Sequence, residues 1–271
     1  MKLKCKISDL QTLCQLTSLK GKSIEGKECR ALLDCLIDVS NKKLTVKAMD
    51  IQGTFALKFE YFNIEILEDG PLPIGDLEKF ESFLSRFNSS DEITLSTFEN
   101  KIVIERVLPH KIARIPLADV QSLNSKEAPI LDKLKYTESG FPQTDKTHFN
   151  LSMIINAEEI KSIFDDGNVV KQRVLPWTIS DEKLHVSIGS QEYGEFESEI
   201  GITDISNDAT KPCPHKTKTT FGTGLDNIFS NLSGKVKIYL PDESELSPLI
   251  VEQQCDNYRF FAILAPLVVP Q

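Results

Sequence analysis

Apolar and polar positions along the chain repeat one arrangement four times. A short alternating run comes first. A stretch with apolar residues three and four apart follows, then two or three more alternating runs. Spacings of three and four gather apolar side chains on one face of a helix, and alternation gathers them on one face of a strand. Each copy therefore predicts a strand, an amphipathic helix of about three turns, and further strands.

The first copy places a strand at 2–7 and a helix from an N-cap at Ser8 to about Lys20, with Leu10, Leu13 and Thr17 on one side and Leu16 and Leu19 beside them. Strands are expected at 29–39, 43–48 and 54–62. In the second copy a strand at 72–74 precedes a helix at 76–87, where Leu77, Phe80, Leu84 and Phe87 form the stripe. Strands at 92–97, 101–107 and 111–117 follow, with Asn100 at a hairpin turn. The third copy has a strand at 148–155, Asn156 as N-cap, and a stripe of Ala157, Ile160, Ile163 and Phe164. Its strands are expected at 174–180, 183–189 and 195–202. The fourth opens at 216–221, carries Leu225, Ile228, Phe229 and Leu232 on its helix, and continues at 235–240, 248–255 and 258–264.

Copies begin roughly 70 residues apart, except across the middle. Residues 118–147 hold Pro129, Gly140 and Pro142, many polar residues and little periodicity, so they predict a connecting segment. Two similar domains follow, 1–117 and 148–271. Helices with one apolar face, beside a majority of alternating strands, predict an α+β fold with helices packed on one side of antiparallel sheets.

Composition narrows the function class. A net charge of −9 argues against a protein that grips nucleic acid with its whole surface, but not against one that touches it with a small face. No apolar run reaches the length of a bilayer span, and the opening MKLKCKISD does not read as a secretory signal. The six cysteines lack CxxC spacing and are expected as free thiols.

Catalytic and metal chemistry is thinly represented. Cys213 and His215 are two metal-ligand types in a proline-rich loop, which is short of a site. His110, His148, His185 and His215 fall on separate strands or loops, and no Ser/His/Asp or Cys/His grouping emerges from spacing. Phe221-Gly222-Thr223-Gly224 lacks the rest of a dinucleotide fingerprint. Trp177 is expected in a core. These readings imply no enzyme, no metal and no cofactor; an enzyme of unrecognised chemistry remains the competing class.

Three segments carry a family resemblance. Pro248-Leu249-Ile250-Val251-Glu252, followed by Phe260-Phe261-Ala262-Ile263-Leu264-Ala265-Pro266, is similar to the "PLVVEY … YYLAP" ending of the sliding clamps of the proliferating-cell-nuclear-antigen type. Leu44-Thr45-Val46-Lys47-Ala48-Met49-Asp50 resembles that family's strand ending in Met-Asp, and Asp91-Glu92-Ile93-Thr94-Leu95 its D-x-I-T-L strand. With the fourfold repeat, the resemblance spans almost the whole chain. It implies a DNA-clamp fold of two domains, each made of two βαβββ units, with helices lining the inside of a ring. Family chains of this length form homotrimers.

The resemblance also implies a function and its surfaces. The chain would be a polymerase processivity factor that encircles double-stranded DNA without reading its sequence. It would need an ATP-dependent clamp loader and act inside cells at replicating DNA, in a host cell if virus- or phage-encoded. The alternative is a clamp-like scaffold or checkpoint-type subunit of a hetero-oligomeric ring. Partner peptides would bind at Met49, Thr54, Ala56, Pro248, Ile263, Leu264, Ala265 and Pro266, rimmed by Ile130, Leu131, Leu134 and Tyr136 of the connecting segment. Those four rim residues fit either a pocket wall or packing onto the sheet below. Ile263 stands where family tails carry an aromatic residue. DNA would meet Lys20, Lys22, Lys27, Lys79, Arg86, Lys161, Lys171, Arg173 and Lys235. Acidic residues outnumber basic ones on the expected helices, and the fourth helix has no basic residue. Subunits would join through His110, Ile112 and Arg114 on one strand and Glu195, Glu197 and Glu199 on another, since bare strand edges seek partners.

Overall fold

The computed structural model describes residues 1–22, 28–62, 64–125, 127–170, 175–180, 183–190, 192, 194–208, 218–221, 224–241 and 248–265. The first repeat comprises β1 (Lys2–Lys6), α1 (Ile7–Ser18), a ribbon of β2 (Lys20–Lys22) and β3 (Glu28–Arg30), then β4 (Cys35–Ser40), β5 (Lys43–Met49) and β6 (Phe55–Tyr61). A short β7 (Glu65–Glu68) leads to the second repeat: β8 (Gly70–Ile74), α2 (Leu77–Leu84), β9 (Glu92–Phe98), β10 (Lys101–Arg106) and β11 (Lys111–Pro116). The connecting segment holds a 3-10 turn at Val120–Ser122, α3 (Pro129–Asp132), β12 (Lys135–Tyr136) and β13 (Pro142–Gln143). The third repeat is β14 (Leu151–Asn156), α4 (Ala157–Val169), β15 (Leu175–Ser180), β16 (Lys183–Ser190) and β17 (Gly194–Gly201), followed by β18 (Asp204–Asn207). The fourth is β19 (Lys218–Phe221), α5 (Gly224–Asn231), β20 (Lys235–Leu240), β21 (Leu249–Gln254) and β22 (Tyr258–Leu264).

One pairing rule organises the main sheets. The last three strands of each repeat form an antiparallel meander, and the first strand of the neighbouring repeat completes it. Thus β11-β10-β9 takes β1, β6-β5-β4 takes β8, β17-β16-β15 takes β19, and β22-β21-β20 takes β14. β7 and β18 add outer strands at matching places in the two halves. The expected fourfold repeat is therefore present in topology as well as in sequence.

The core does not divide at the connecting segment. β22 pairs with β6 in antiparallel register from Tyr258↔Tyr61 to Leu264↔Phe55, which merges two meanders into one nine-stranded sheet. A single apolar core lies between the helices and the sheets, with Leu10, Phe80, Ile160 and Ile228 from the helices and Phe59, Val251 and Phe260 from the large sheet. Helices pack in pairs, α1 on α2 and α4 on α5, and α5 also crosses to α1 and β2. No helix among the described residues is long and apolar enough to cross a membrane.

Local chemistry explains the departures from periodicity. α1 starts one residue before Ser8, because the Asp9 carboxylate accepts the Lys6 amide at 2.8 Å. It ends at Leu19, which takes the left-handed conformation, so Lys20 enters β2 instead of the helix. The expected strand 29–39 is broken between Arg30 and Cys35. There Leu33 offers its carbonyl to the Leu77 amide, and the buried Asp34 carboxylate accepts the amides of Asn124 and Ser125, each at 2.7 Å. α2 stops at Leu84, which leaves Arg86 beyond it. The expected cap holds at Asn156, whose side chain accepts the Glu158 amide; Asp76, expected only as the start of the second helix, also caps it by accepting the Lys79 amide. The hairpin at Asn100 is also present, with Glu99 and Asn100 both at positive φ as the mirror-image turn of tight hairpins requires.

Candidate functional site

Alternation along the large sheet separates two faces. On β20, Val236, Ile238 and Leu240 enter the main core, while Tyr239 joins a second apolar cluster on the face away from the helices. Phe141, Phe149, Ile250, Phe261 and Ile263 complete that cluster, and Leu131 and Leu134 of the connecting segment pack against it. The segment is thus a strap laid over the sheet. Lys47 on β5 holds it through an ion pair of 2.5 Å with Asp132.

Beneath the strap lies a groove with two hollows. One, of about 190 Å³, is lined by Lys58, Glu60, Leu131, Leu134, Tyr136, Arg259 and Phe261. The other, of about 400 Å³, shares Tyr136 and Arg259 and extends past Lys237, Tyr239 and Glu252 to Lys235. A polar network supports the floor. Glu252 accepts from Arg259 Nε at 2.8 Å and from the Tyr239 hydroxyl at 3.0 Å. Burial raises the Tyr239 pKa, and the Glu252 carboxylate raises it further, so this hydroxyl stays a donor. Glu60 is shared by Lys43 at 2.6 Å and Lys58 at 3.1 Å. Burial works against its charge, but the two lysines outweigh burial and hold its pKa below the ordinary value.

The expected peptide site is only partly assembled at this groove. Leu131, Leu134 and Tyr136 line it, whereas Ile130 is exposed on the strap without lining either hollow. Ile263 is buried in the second cluster under the strap, next to Ala56 on β6 and one pair away from Met49. Thr54 is exposed and donates its hydroxyl to Asp50, Ala265 donates its amide to the Thr54 carbonyl, and Pro248 is half-buried. Leu264 must be removed from the set. It follows Ile263 on the same strand, so it points into the helix-side core. Pro266 lies outside the described residues. Sequence reading missed Lys58, Arg259 and Phe261, whose signal was the odd–even alternation of β6 and β22.

The expected DNA-facing set also changes. Lys79 and Lys161 stand exposed within α2 and α4, and Arg86 is exposed just past α2. Lys20 is instead tied to Glu81 at 2.9 Å and Glu28 at 3.6 Å. Arg30 of β3, unnoticed in the sequence, meets the same Glu81 carboxylate at 2.9 Å and is nearly buried. Lys235 belongs to the face away from the helices, where it lines the larger hollow, so it leaves the set. The backbone of Lys22 lies in β2; Lys27, Lys171 and Arg173 fall outside the described residues.

The two expected joining strands are both sheet edges. Among the described residues β11 pairs only with β10, and β17 only with β16. β11 exposes Arg114 and half-buries Ile112 and Lys111, with His110 exposed just before it. β17 exposes Glu195, Glu197 and Glu199, the last paired with Lys183 at 2.7 Å. One edge is thus basic and the other acidic.

Folding also gathers Ser139, His148 and Asp208, a set that spacing did not reveal. Asp208 sits in the middle, accepting from the Ser139 hydroxyl at 3.1 Å and lying 2.9 Å from His148 Nε2. A nucleophilic serine needs the histidine as its base, with the carboxylate behind it. Here serine and histidine both address the carboxylate, so the trio anchors the strap instead. Cys213 and His215 lie outside the described residues, as does the Trp177 side chain. Cys5, Cys14, Cys29, Cys35 and Cys255 are free thiols.

No protein-family model matches the chain, and no curated protein does. Solved structures do. The proliferating cell nuclear antigen of A. fulgidus, solved with the C-terminal region of FEN-1, aligns at TM-score 0.72 and 11% identity over 100% of this chain and 99% of that one. That of Entamoeba histolytica aligns at 0.71 and 12% over 98% of each chain. The DNA polymerase III beta chain of Streptococcus pneumoniae aligns at 0.71 and 15%, over 99% of this chain and 65% of the longer bacterial one. From end to end, this chain has the sliding-clamp fold.

Proposed function

We propose that this chain is a non-enzymatic sliding clamp. Copies close into a homotrimeric ring around duplex DNA and tether a polymerase and other replication or repair proteins to it. Residues 1–117 and 148–271 serve as the two clamp domains, with 118–147 as the strap between them. Loading onto closed DNA requires an ATP-dependent loader.

The pairing rule carries this reading. Within the chain, the third meander strand of the fourth repeat, β22, joins that of the first, β6, in antiparallel register. The third meander strands of the second and third repeats, β11 and β17, hold the equivalent places in the five- and four-stranded sheets and end them among the described residues. Joining β11 of one copy to β17 of the next would repeat an intramolecular joint between molecules. Such a head-to-tail contact closes into a ring when its rotation is right. Lys111 and Arg114 facing Glu195, Glu197 and Glu199 make the two edges complementary within one chain type, which favours a homo-oligomer over a hetero-ring.

The helices supply the inner wall in this reading, and its sparse cations are compatible with topological retention, which needs little affinity. The test is primer extension on a long template with the cognate polymerase and loader, alongside native mass in solution. A mass three times that of the chain and longer products are expected. A stable trimer that leaves product length unchanged would remove the tethering function.

A further inference from the structure

We propose that the joint between two copies builds a zinc site, with His110 and Glu105 of one copy and Glu199 and His185 of the next as its ligands. The site rests on the clamp reading, because neither copy holds it alone. Within one chain, no group of three metal-ligand residues that could hold an ion occurs among the described residues.

The chain carries its own template for the register of that joint. In the second repeat's sheet, Leu3, Leu95, Ile104 and Ala113 form one row across β1, β9, β10 and β11. In the fourth repeat's sheet, Met153, Ile238, Val251 and Ala262 form the same row across β14, β20, β21 and β22. Leu3 and Met153 each stand four residues before the first residue of a helix, so Ala113 holds the place of Ala262. The other edge matches as directly. Lys43 and Lys183 both open their strands opposite a serine, Ser40 and Ser180, and the next residues pair Leu44 with Tyr61 and Leu184 with Ile200. Ile200 therefore holds the place of Tyr61. Inside the chain, Arg259 faces Glu60 and Ile263 faces Ala56. Carried to the joint between copies, the same register sets His110 opposite Glu199, and Arg114 opposite Glu195.

That register brings two half-sites together on one face. Ile104, Leu184 and Ile200 enter the main core, so by alternation Glu105, His185 and Glu199 lie on the face away from the helices. Glu105 Oε1 lies 3.5 Å from His110 Nε2, and Glu199 Oε1 lies 3.4 Å from His185 Nδ1. Both separations are longer than a good N–H···O hydrogen bond. They match the edge of a tetrahedron whose zinc–ligand bonds are about 2.0–2.1 Å, which is about 3.3–3.5 Å. Residues facing each other on adjacent strands stand about 4.5–5.5 Å apart at Cβ, and His110, Glu199 and His185 would occupy three successive strands of the joined sheet. Lys183 binds the other Glu199 oxygen at 2.7 Å and holds its pKa below the ordinary 4.5, so this carboxylate is ionised with Oε1 turned toward His185. Two imidazoles and two carboxylates suit zinc, and the carboxylates offset the charge of the dication.

The test uses the full-length chain stripped with EDTA, dialysed, and titrated with Co²⁺ as a visible probe, then with Zn²⁺ to displace it. Native mass is followed in parallel. Rings should assemble without metal, since the strand edges pair through their backbones. They should then take up one ion per joint, with the intense absorption of tetrahedral cobalt, and Zn²⁺ should keep them assembled to at least tenfold greater dilution. His110→Gln and His185→Gln should each abolish the absorption and that gain, and His185→Gln should assemble as the parent does in EDTA. Rings mixed from the two variants decide whether the site spans copies. Every mixed ring contains one joint with both histidines present, and should regain one ion. A ring that takes up no cobalt, uptake unchanged in the variants, equal uptake by the monomer, or mixed rings that regain nothing overturns the site and leaves the ring standing. A chain that forms no trimer with or without Zn²⁺ sinks the clamp reading, and the site with it.

Discussion

Asn227 of α5 lies so close to Gly21 of β2 that a β-carbon on Gly21 would stand 1.5 Å from Asn227 Oδ1. This contact joins the two halves of the chain on the helix side of the sheet. Asn231 strengthens it by donating to the Lys20 carbonyl at 2.7 Å, and Gln15 donates to the Asn231 carbonyl at 3.4 Å. Gly21→Ala should therefore cost about 1–3 kcal/mol through overpacking. Urea denaturation measures it. Adding Asn227→Ala should restore much of the loss; simple additivity of the two changes would mean that the contact is unimportant.

Asp34 fastens the start of the strap. Its carboxylate accepts from the Asn124 amide, the Asn124 side chain at 2.9 Å and the Ser125 amide. Asp34→Ala should lower stability by about 1–3 kcal/mol, since charge-assisted bonds to a buried group are lost. Amide exchange should accelerate at residues 124 and 125 before it does in β4. Protection unchanged there would show that the strap is held by its apolar contacts alone.

Glu81 links α2 to the β2–β3 ribbon and responds to acid. Burial alone would raise its pKa. Hydrogen bonds and charge from Lys20 and Arg30 outweigh burial and hold it below the ordinary 4.5. A depressed folded-state pKa means stability that is present above 4.5 and lost as pH falls through the folded value. Glu81→Gln should cost about 1 kcal/mol or less at pH 7, and the difference from the parent should vanish in acid. Melting curves across that range check it.

Charge reversal tests the proposed joint. Lys111→Glu/Arg114→Glu should shift the native mass from trimer toward monomer, with at least a tenfold weaker assembly. Glu197→Lys/Glu199→Lys should do the same, and all four changes in one chain should recover the trimer. Failure of the combined variant to reassemble would argue that the acidic and basic edges do not meet.

Lys79→Glu/Lys161→Glu probes the helix face. The expected result is an unchanged ring with several-fold shorter retention on circular DNA, more pronounced at low salt because the contacts are to phosphates. Equal loss from a Lys235→Glu chain would contradict the placement of that residue on the opposite face.

Periodicity made much of this fold legible. Helix stripes such as Leu77, Phe80 and Leu84 and alternating runs such as 235–240 depend on neighbours a few positions apart, and the burial of those residues follows them. The site was less legible. The same alternation that buries Ile263 under the strap turns Leu264 to the helix side, and a linear motif treats the two as one unit. Lys20 reads as a free helical cation until Leu19 ends the helix and Glu81 arrives from α2.

The sequence by itself determined the four repeats, the identity of nearly every helix and long strand, and the opposite charge of the two edge strands. Those properties are local, set by side chains within a turn of helix or along a strand. Tertiary structure alone decided which repeats exchange strands, that β6 and β22 merge the halves, and that a strap covers a groove. These depend on contacts between residues as far apart as Lys58 and Phe261, and no short-range pattern encodes which distant edge a strand will meet.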